Sequence, residues 1–149
     1  MRMRGDRERG ASLVEFAFVA PFLILLLFGI IEFAWLFGQD LTIKHGAREG
    51  ARLAAVAFGA NTTALTAETI SRMNVTTGSP TVTFCVKDWL VAPAGMDPGD
   101  GIEVTVAQTT NSLTGMMDWI FPPSLSSVVE IRAEQTPAGY WTGANVCAP

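Results

Sequence analysis

Side chains able to do chemistry are few in this sequence. There is one histidine, His45, and there are two cysteines, Cys85 and Cys147. A lone imidazole has no second histidine with which to hold a metal, and no Ser-His-Asp set can be built around it, so His45 reads as a surface residue. There is no glycine-rich phosphate loop. Asp97 and Asp100, in Asp97-Pro98-Gly99-Asp100-Gly101, lack calcium-loop spacing and read as turn chemistry. No catalytic residue, metal or cofactor is therefore expected. The residues with most to explain are two carboxylates, Glu15 and Glu32, the only ionisable groups between Ala11 and Gly38. A charge in hydrocarbon costs roughly 3 kcal/mol unless it is paired. On a helix, their spacing places them about 100° apart around the axis, so they do not form an acid-base pair.

The element that must carry these carboxylates is a membrane helix. From Phe16 to Ile31 no side chain is charged, and Phe33 to Gly38 continues the run past Glu32. About 20 such residues cross a hydrocarbon core, and this segment is apolar on every side, unlike the helix of a soluble core. The overall content of 49% hydrophobic residues is concentrated there. Charge is also unevenly placed. Arg2, Arg4, Arg7 and Arg9 outnumber Asp6 and Glu8 before the run, while the whole chain carries −4. A basic head, an apolar run and an acidic body form a topology signal with the head in the cytoplasm. The body has too few Lys and Arg to bind nucleic acid. Lys44, Arg48 and Arg52, just beyond the run, oppose the orientation signal in part. Glu32 is expected at the outer interface beside Trp35, reaching headgroups, with pairing to a partner subunit as the other reading. Pro21 is expected to kink the helix. Phe18, Phe22 and Phe28 read as lipid contacts or packing. No small-x-small cleavage site follows the run, so an ordinary secretory signal is disfavoured.

The interruption lies on the other side, at Gly10-Ala11-Ser12-Leu13-Val14-Glu15-Phe16-Ala17. Gly10, four residues, then Glu15 and the aromatic Phe16 ahead of an apolar helix resembles the processing motif of Flp-type prepilins. With Pro21, Gly29-Ile30-Ile31-Glu32 and the later Gly46-Ala47-Arg48-Glu49-Gly50-Ala51-Arg52-Leu53-Ala54-Ala55, the segment is similar to TadE-like pseudopilins of tight-adherence pilus systems. The resemblance covers about residues 10–55. It implies that a prepilin peptidase cuts between Gly10 and Ala11, a position where a missing side chain lets the backbone extend into a cleft. It further implies that Glu15 pairs with the new N-terminal amine of a neighbouring subunit. The competing reading of Glu15 is an interfacial carboxylate that snorkels to water.

Beyond the span the helix is expected to continue as an amphipathic extension over 39–59. Gly46, Gly50 and Ala54 form a small-residue stripe, with Lys44, Arg48 and Arg52 a basic row at the same spacing. Two readings stand: the stripe packs on the protein's own sheet beneath a solvated face, or Gly46, Arg48, Gly50, Arg52 and Ala54 dock on other subunits. Residues 60–149 are expected to form a small extracytoplasmic α+β domain. Its elements are a short helix at 64–73, with Leu65, Ile70 and Met73 on one side, and three antiparallel strands at 81–87, 102–106 and 128–134. The apolar connection Leu113-Thr114-Gly115-Met116-Met117-Asp118-Trp119-Ile120-Phe121-Pro122-Pro123 reads as a core cap or, if exposed, as a contact patch for a partner or the membrane surface. An even cysteine count outside the cytoplasm implies a Cys85–Cys147 disulfide that pins the tail carrying Tyr140 and Trp141.

Three functional readings follow. In the first, the chain is a minor pseudopilin cut after Gly10 that contributes to assembly or initiation of a pilus. Its partners would then be a prepilin peptidase, other pilin or pseudopilin subunits and the inner-membrane assembly platform. The second is an uncleaved single-pass envelope protein, with residues 1–10 cytoplasmic and 11–38 in the inner membrane, tethering a binding domain. The third is a small anchored enzyme, for which no candidate site is found.

Overall fold

The structure, a computed structural model, describes residues 5–56, 61–74, 78–87, 99–134 and 147, with backbone alone over 5–9. Arg2, Arg4, Gly59, Ala60, Asp97, Pro98, Tyr140 and Trp141, which figure in the sequence reading, lie outside the described residues.

One helix, α1 (Gly5–Ala55), runs through leader, apolar run and amphipathic extension without a break. Pro21 sits inside it without ending it. At 1.5 Å per residue, its 51 residues span about 75 Å. The C-terminal half carries the folded domain. A second helix, α2 (Thr62–Arg72), begins where the Asn61 side chain accepts the Ala64 amide at 2.8 Å. That cap satisfies an amide with no partner inside the helix, which explains a start two residues before the expected Ala64.

Strands β1 (Thr81–Lys87), β2 (Gly101–Thr109) and β3 (Ser124–Arg132) form an antiparallel sheet in the order β1-β2-β3. Val82, Phe84 and Val86 stand opposite Val106, Val104 and Ile102, while Val129 and Ile131 stand opposite Val104 and Ile102. Alternation therefore aims one face of the sheet at α1 and α2. The core formed there contains Ile43, Ala47, Leu53, Leu65, Phe84, Val86, Ile102, Val104 and Val106. Strand β3 starts four residues earlier than its expected start, because pairing of Ser124 to Thr109 extends the ladder through Ser126 and Ser127. The Ala55 carbonyl accepts the Glu134 amide at 3.0 Å, so the chain leaving β3 closes the end of α1.

This is the expected α+β architecture: a long apolar helix, a short helix and a three-stranded antiparallel sheet.

Candidate functional site

Gly10 and Ala11 lie exposed on α1, as do Glu15 and Phe16 one turn further on. This segment belongs to a shaft that the domain does not cover: Phe18, Phe22, Leu25 and Leu27 are all exposed. The helix from Gly10 to Ala55 is long and apolar enough to cross a membrane. Glu15 and Glu32 stand in different surroundings, in keeping with the angular separation read from their spacing.

Glu32 departs from its expected place. Its side chain is fully buried, at 0% exposure, and does not reach out to water beside Trp35. The chain between β2 and β3 folds back along α1 and encloses it. Amides of Leu113 and Thr114 donate to its two carboxylate oxygens at 3.0 and 2.7 Å, and the Thr114 hydroxyl donates to Oε1 as well. Two turns along the same face, Gln39 repeats the device. Its Nε2 donates to the Asn111 carbonyl at 2.7 Å and its Oε1 accepts the Asn111 amide at 3.3 Å. Trp35 adds an Nε1–H donated to the same carbonyl at 3.0 Å. Below Glu32, the rings of Phe33 and Phe121 meet edge to face at 5.8 Å. A row of polar side chains on an apolar helix thus binds the backbone of a loop about 80 residues away in sequence.

Of the two readings of the loop, the core cap holds only at Phe121, and the rest is the exposed version. Phe121 is buried, but Leu113, Met116, Trp119 and Ile120 face outward. Sequence reasoning missed Gln39, Asn111 and Thr114 as partners of this site. The available signal was the recurrence of Glu32 and Gln39 seven residues apart on one helical face.

On the amphipathic extension the small-residue stripe and the basic row meet different surroundings. Gly46, Gly50 and Ala54 are buried against the protein's own domain, whereas Arg48 and Arg52 are exposed. A Cβ on Gly46 would come within 2.5 Å of the Met73 sulfur, and one on Gly50 within 3.0 Å of Thr69 and 3.2 Å of Val104. The small residues are thus what lets α1 approach α2 and β2 closely. Within the basic row, Lys44 pairs with Asp40 at 2.6 Å and Arg52 with Glu49 at 2.9 Å. Glu49 also receives Arg72 of α2 at 2.7 Å. Hydrogen bonds from Arg52, then Arg72, hold the Glu49 carboxyl below the usual carboxylate range despite partial burial.

On the outer face of the sheet, Glu103 and Glu130 are directly paired across β2 and β3. Lys87 answers both, at 2.7 and 3.0 Å, and these bonds raise its own proton affinity. Cys85 and Cys147 are joined in a disulfide, and the Cys147 amide donates to the Val86 carbonyl at 3.0 Å, adding a contact at the edge of β1. Both sulfurs are thereby spent, so their proximity to Glu103 does not make a metal site.

Fold and site together define a small α+β domain built on the C-terminal half of a helix whose other half is a bare apolar shaft. Residues 10–52 match the family model described as TadE-like protein, so over that segment the chain is similar to that family. No curated protein and no solved structure matches it. The family matched is one of structural pilus components, and the match suggests, at a coarse level, a Tad-pilus-associated, minor-pilin-like role among other pilus components.

Proposed function

We propose that this chain is a minor pilin-like subunit of a tight-adherence (Flp-type) pilus, processed by a prepilin peptidase between Gly10 and Ala11. It is held in the bacterial inner membrane with its domain outside the cytoplasm. The observation that carries this reading is the exposure of Gly10, Ala11, Glu15 and Phe16 on an uncovered apolar shaft, within the segment that matches the TadE-like family. A peptidase can reach such a segment, and a neighbouring helix can pack along it. Glu15 is the group in that shaft whose charge calls for a partner, and the amine created at Ala11 of an adjacent subunit supplies one.

The test has two parts. N-terminal sequencing of the membrane-extracted protein should find Ala11 first in the wild type, and the uncut chain in Gly10→Leu. At matched membrane levels, Glu15→Leu should insert normally yet recover fewer co-purifying pilus components. A wild-type chain never cut at Gly10 removes the processing step. Unchanged partner recovery with intact piliation removes the role of Glu15 and favours the uncleaved tether.

A further inference from the structure

The Glu32 site fixes the 113–121 loop at a particular height on α1. The loop touches the helix at Glu32 and Phe33, and a Cβ on Gly29 would lie 3.7 Å from the Met117 methyl. A span of about 20 residues beginning at Ala11 ends at Ile30, and one beginning after Glu15 ends at Trp35. The charged segment before Gly10 prevents an earlier start. Either way, a bilayer covering the exposed Leu26, Leu27, Ile30 and Ile31 must also take in the loop bound beside them.

The loop is suited to that position in two independent respects. Its outward face is mainly apolar, with Asp118 and Thr114 the polar exceptions: Met116 is 64% and Trp119 83% exposed, with Leu113 and Ile120 beside them. Six of its nine backbone amides are satisfied from within. Beyond the two amides on Glu32, Gly115 donates to the Ser112 hydroxyl, Met116 to the Thr114 hydroxyl, and Ile120 and Phe121 to the Met117 carbonyl. Even the Trp119 indole N–H is spent on the Met116 carbonyl at 3.2 Å. Pairing of this kind lowers the cost of irregular backbone at the membrane boundary, where headgroups and interfacial water can meet the remaining amides of Met117, Asp118 and Trp119. Asp118, the loop's single charge, keeps it at headgroup depth, where tryptophan also partitions.

Between loop and helix runs an apolar groove of about 630 Å³, walled by Pro21, Ile24, Leu25 and Phe28 on one side and by Met116 and Trp119 on the other. Its helical wall is continuous with the bare shaft, so whatever solvates the shaft fills the groove.

We propose that the 113–121 loop is a second membrane contact, seated in the outer boundary of the bilayer, and that a phospholipid acyl chain occupies the groove between it and α1. This rests on the membrane reading of α1, and its test separates the two. The full-length protein is placed in phosphatidylcholine vesicles carrying lipids brominated near the headgroup end of the acyl chain. The Trp119 signal is taken as the difference between the wild type and Trp119→Phe, a change at an exposed position. Phe22→Trp in the Trp119→Phe background reports on the shaft.

Bromolipid should remove most of the Trp119 contribution, aqueous acrylamide should remove little, and neither result should change as protein density in the membrane is raised. If the Phe22→Trp signal is quenched by bromolipid while Trp119 answers to acrylamide, the loop lies in water and the proposal fails alone. If neither tryptophan meets lipid, the membrane reading of α1 fails and takes the proposal with it. Lipid quenching of Trp119 that disappears at high protein density would show a second copy of the chain in the groove, overturning the lipid assignment.

Discussion

At the scale of single residues, Glu32 shows how a charge inside an apolar run can serve structure rather than catalysis. A buried carboxylate is stable when it accepts enough hydrogen bonds, and here two amides and a hydroxyl from one loop supply them. The arrangement is reciprocal, because the same amides lose their acceptor if the carboxylate goes. Glu32→Leu should therefore release the loop, at about 1–3 kcal/mol for each donor left unpaired. The measurement is amide hydrogen exchange at Leu113 and Thr114, which should quicken markedly while amides of β2 keep their protection. Unchanged exchange at both positions would mean that Gln39 and Phe33 hold the loop unaided. Glu32 was visible in the sequence as an anomaly, but its partner was not. Periodicity reports which face a residue occupies, whereas a contact across some 80 positions depends on how the β2–β3 connection folds back. Glu15, by contrast, was legible only through the motif around it, and it stays exposed within one chain.

At the scale of elements, strict alternation in Thr81–Lys87 and around Ile102–Val106 made two strands readable, and the same face of each enters the core. The serines of β3 concealed its first half, since serine has little strand preference and the ladder with β2 overrides it. Helix α2 is tied to α1 by charge as well as by packing. Glu49 joins Arg52 of its own helix to Arg72 of the next, and Arg72 also holds Glu68 at 2.7 Å. The sign of the pH effect follows from the lowered Glu49 pKa. A carboxyl that is more acidic folded than unfolded adds stability above its unfolded pKa, near 4.5, and loses it as pH falls through the folded value. Stability of the wild type should thus decline from about pH 5 downward. Glu49→Gln should be less stable at neutral pH and show a shallower decline, as read by thermal unfolding in detergent across that range. Parallel pH curves for the two proteins would show that Glu49 contributes nothing to α1–α2 docking.

At the scale of the whole molecule, one rod carries both the shaft and the domain. The domain's core is built directly on Ile43, Ala47, Gly50 and Ala54 of α1, the same helix that carries the apolar run. The far end of the chain is secured differently, by the bond from Cys147 to Cys85 and by the Cys147 amide on Val86. With the cysteines 62 apart in sequence, loop-closure entropy assigns the bridge up to about 4 kcal/mol, acting mainly on the unfolded chain. The bridge is also diagnostic of compartment, because it persists outside the cytoplasm and not within it. In membranes prepared with a thiol-blocking reagent, both cysteines should resist alkylation until reduced. Cys85→Ser/Cys147→Ser and the reduced wild type should then melt together, below the oxidised wild type. The sheet should still form in both, since its ladder and its core on α1 do not involve either sulfur. Free thiols in freshly blocked cells would place the domain on the cytoplasmic side and reverse the topology. An oxidised protein no more stable than the double serine variant would show instead that contacts along the intervening chain, rather than the covalent link, hold the C-terminal segment at the edge of β1.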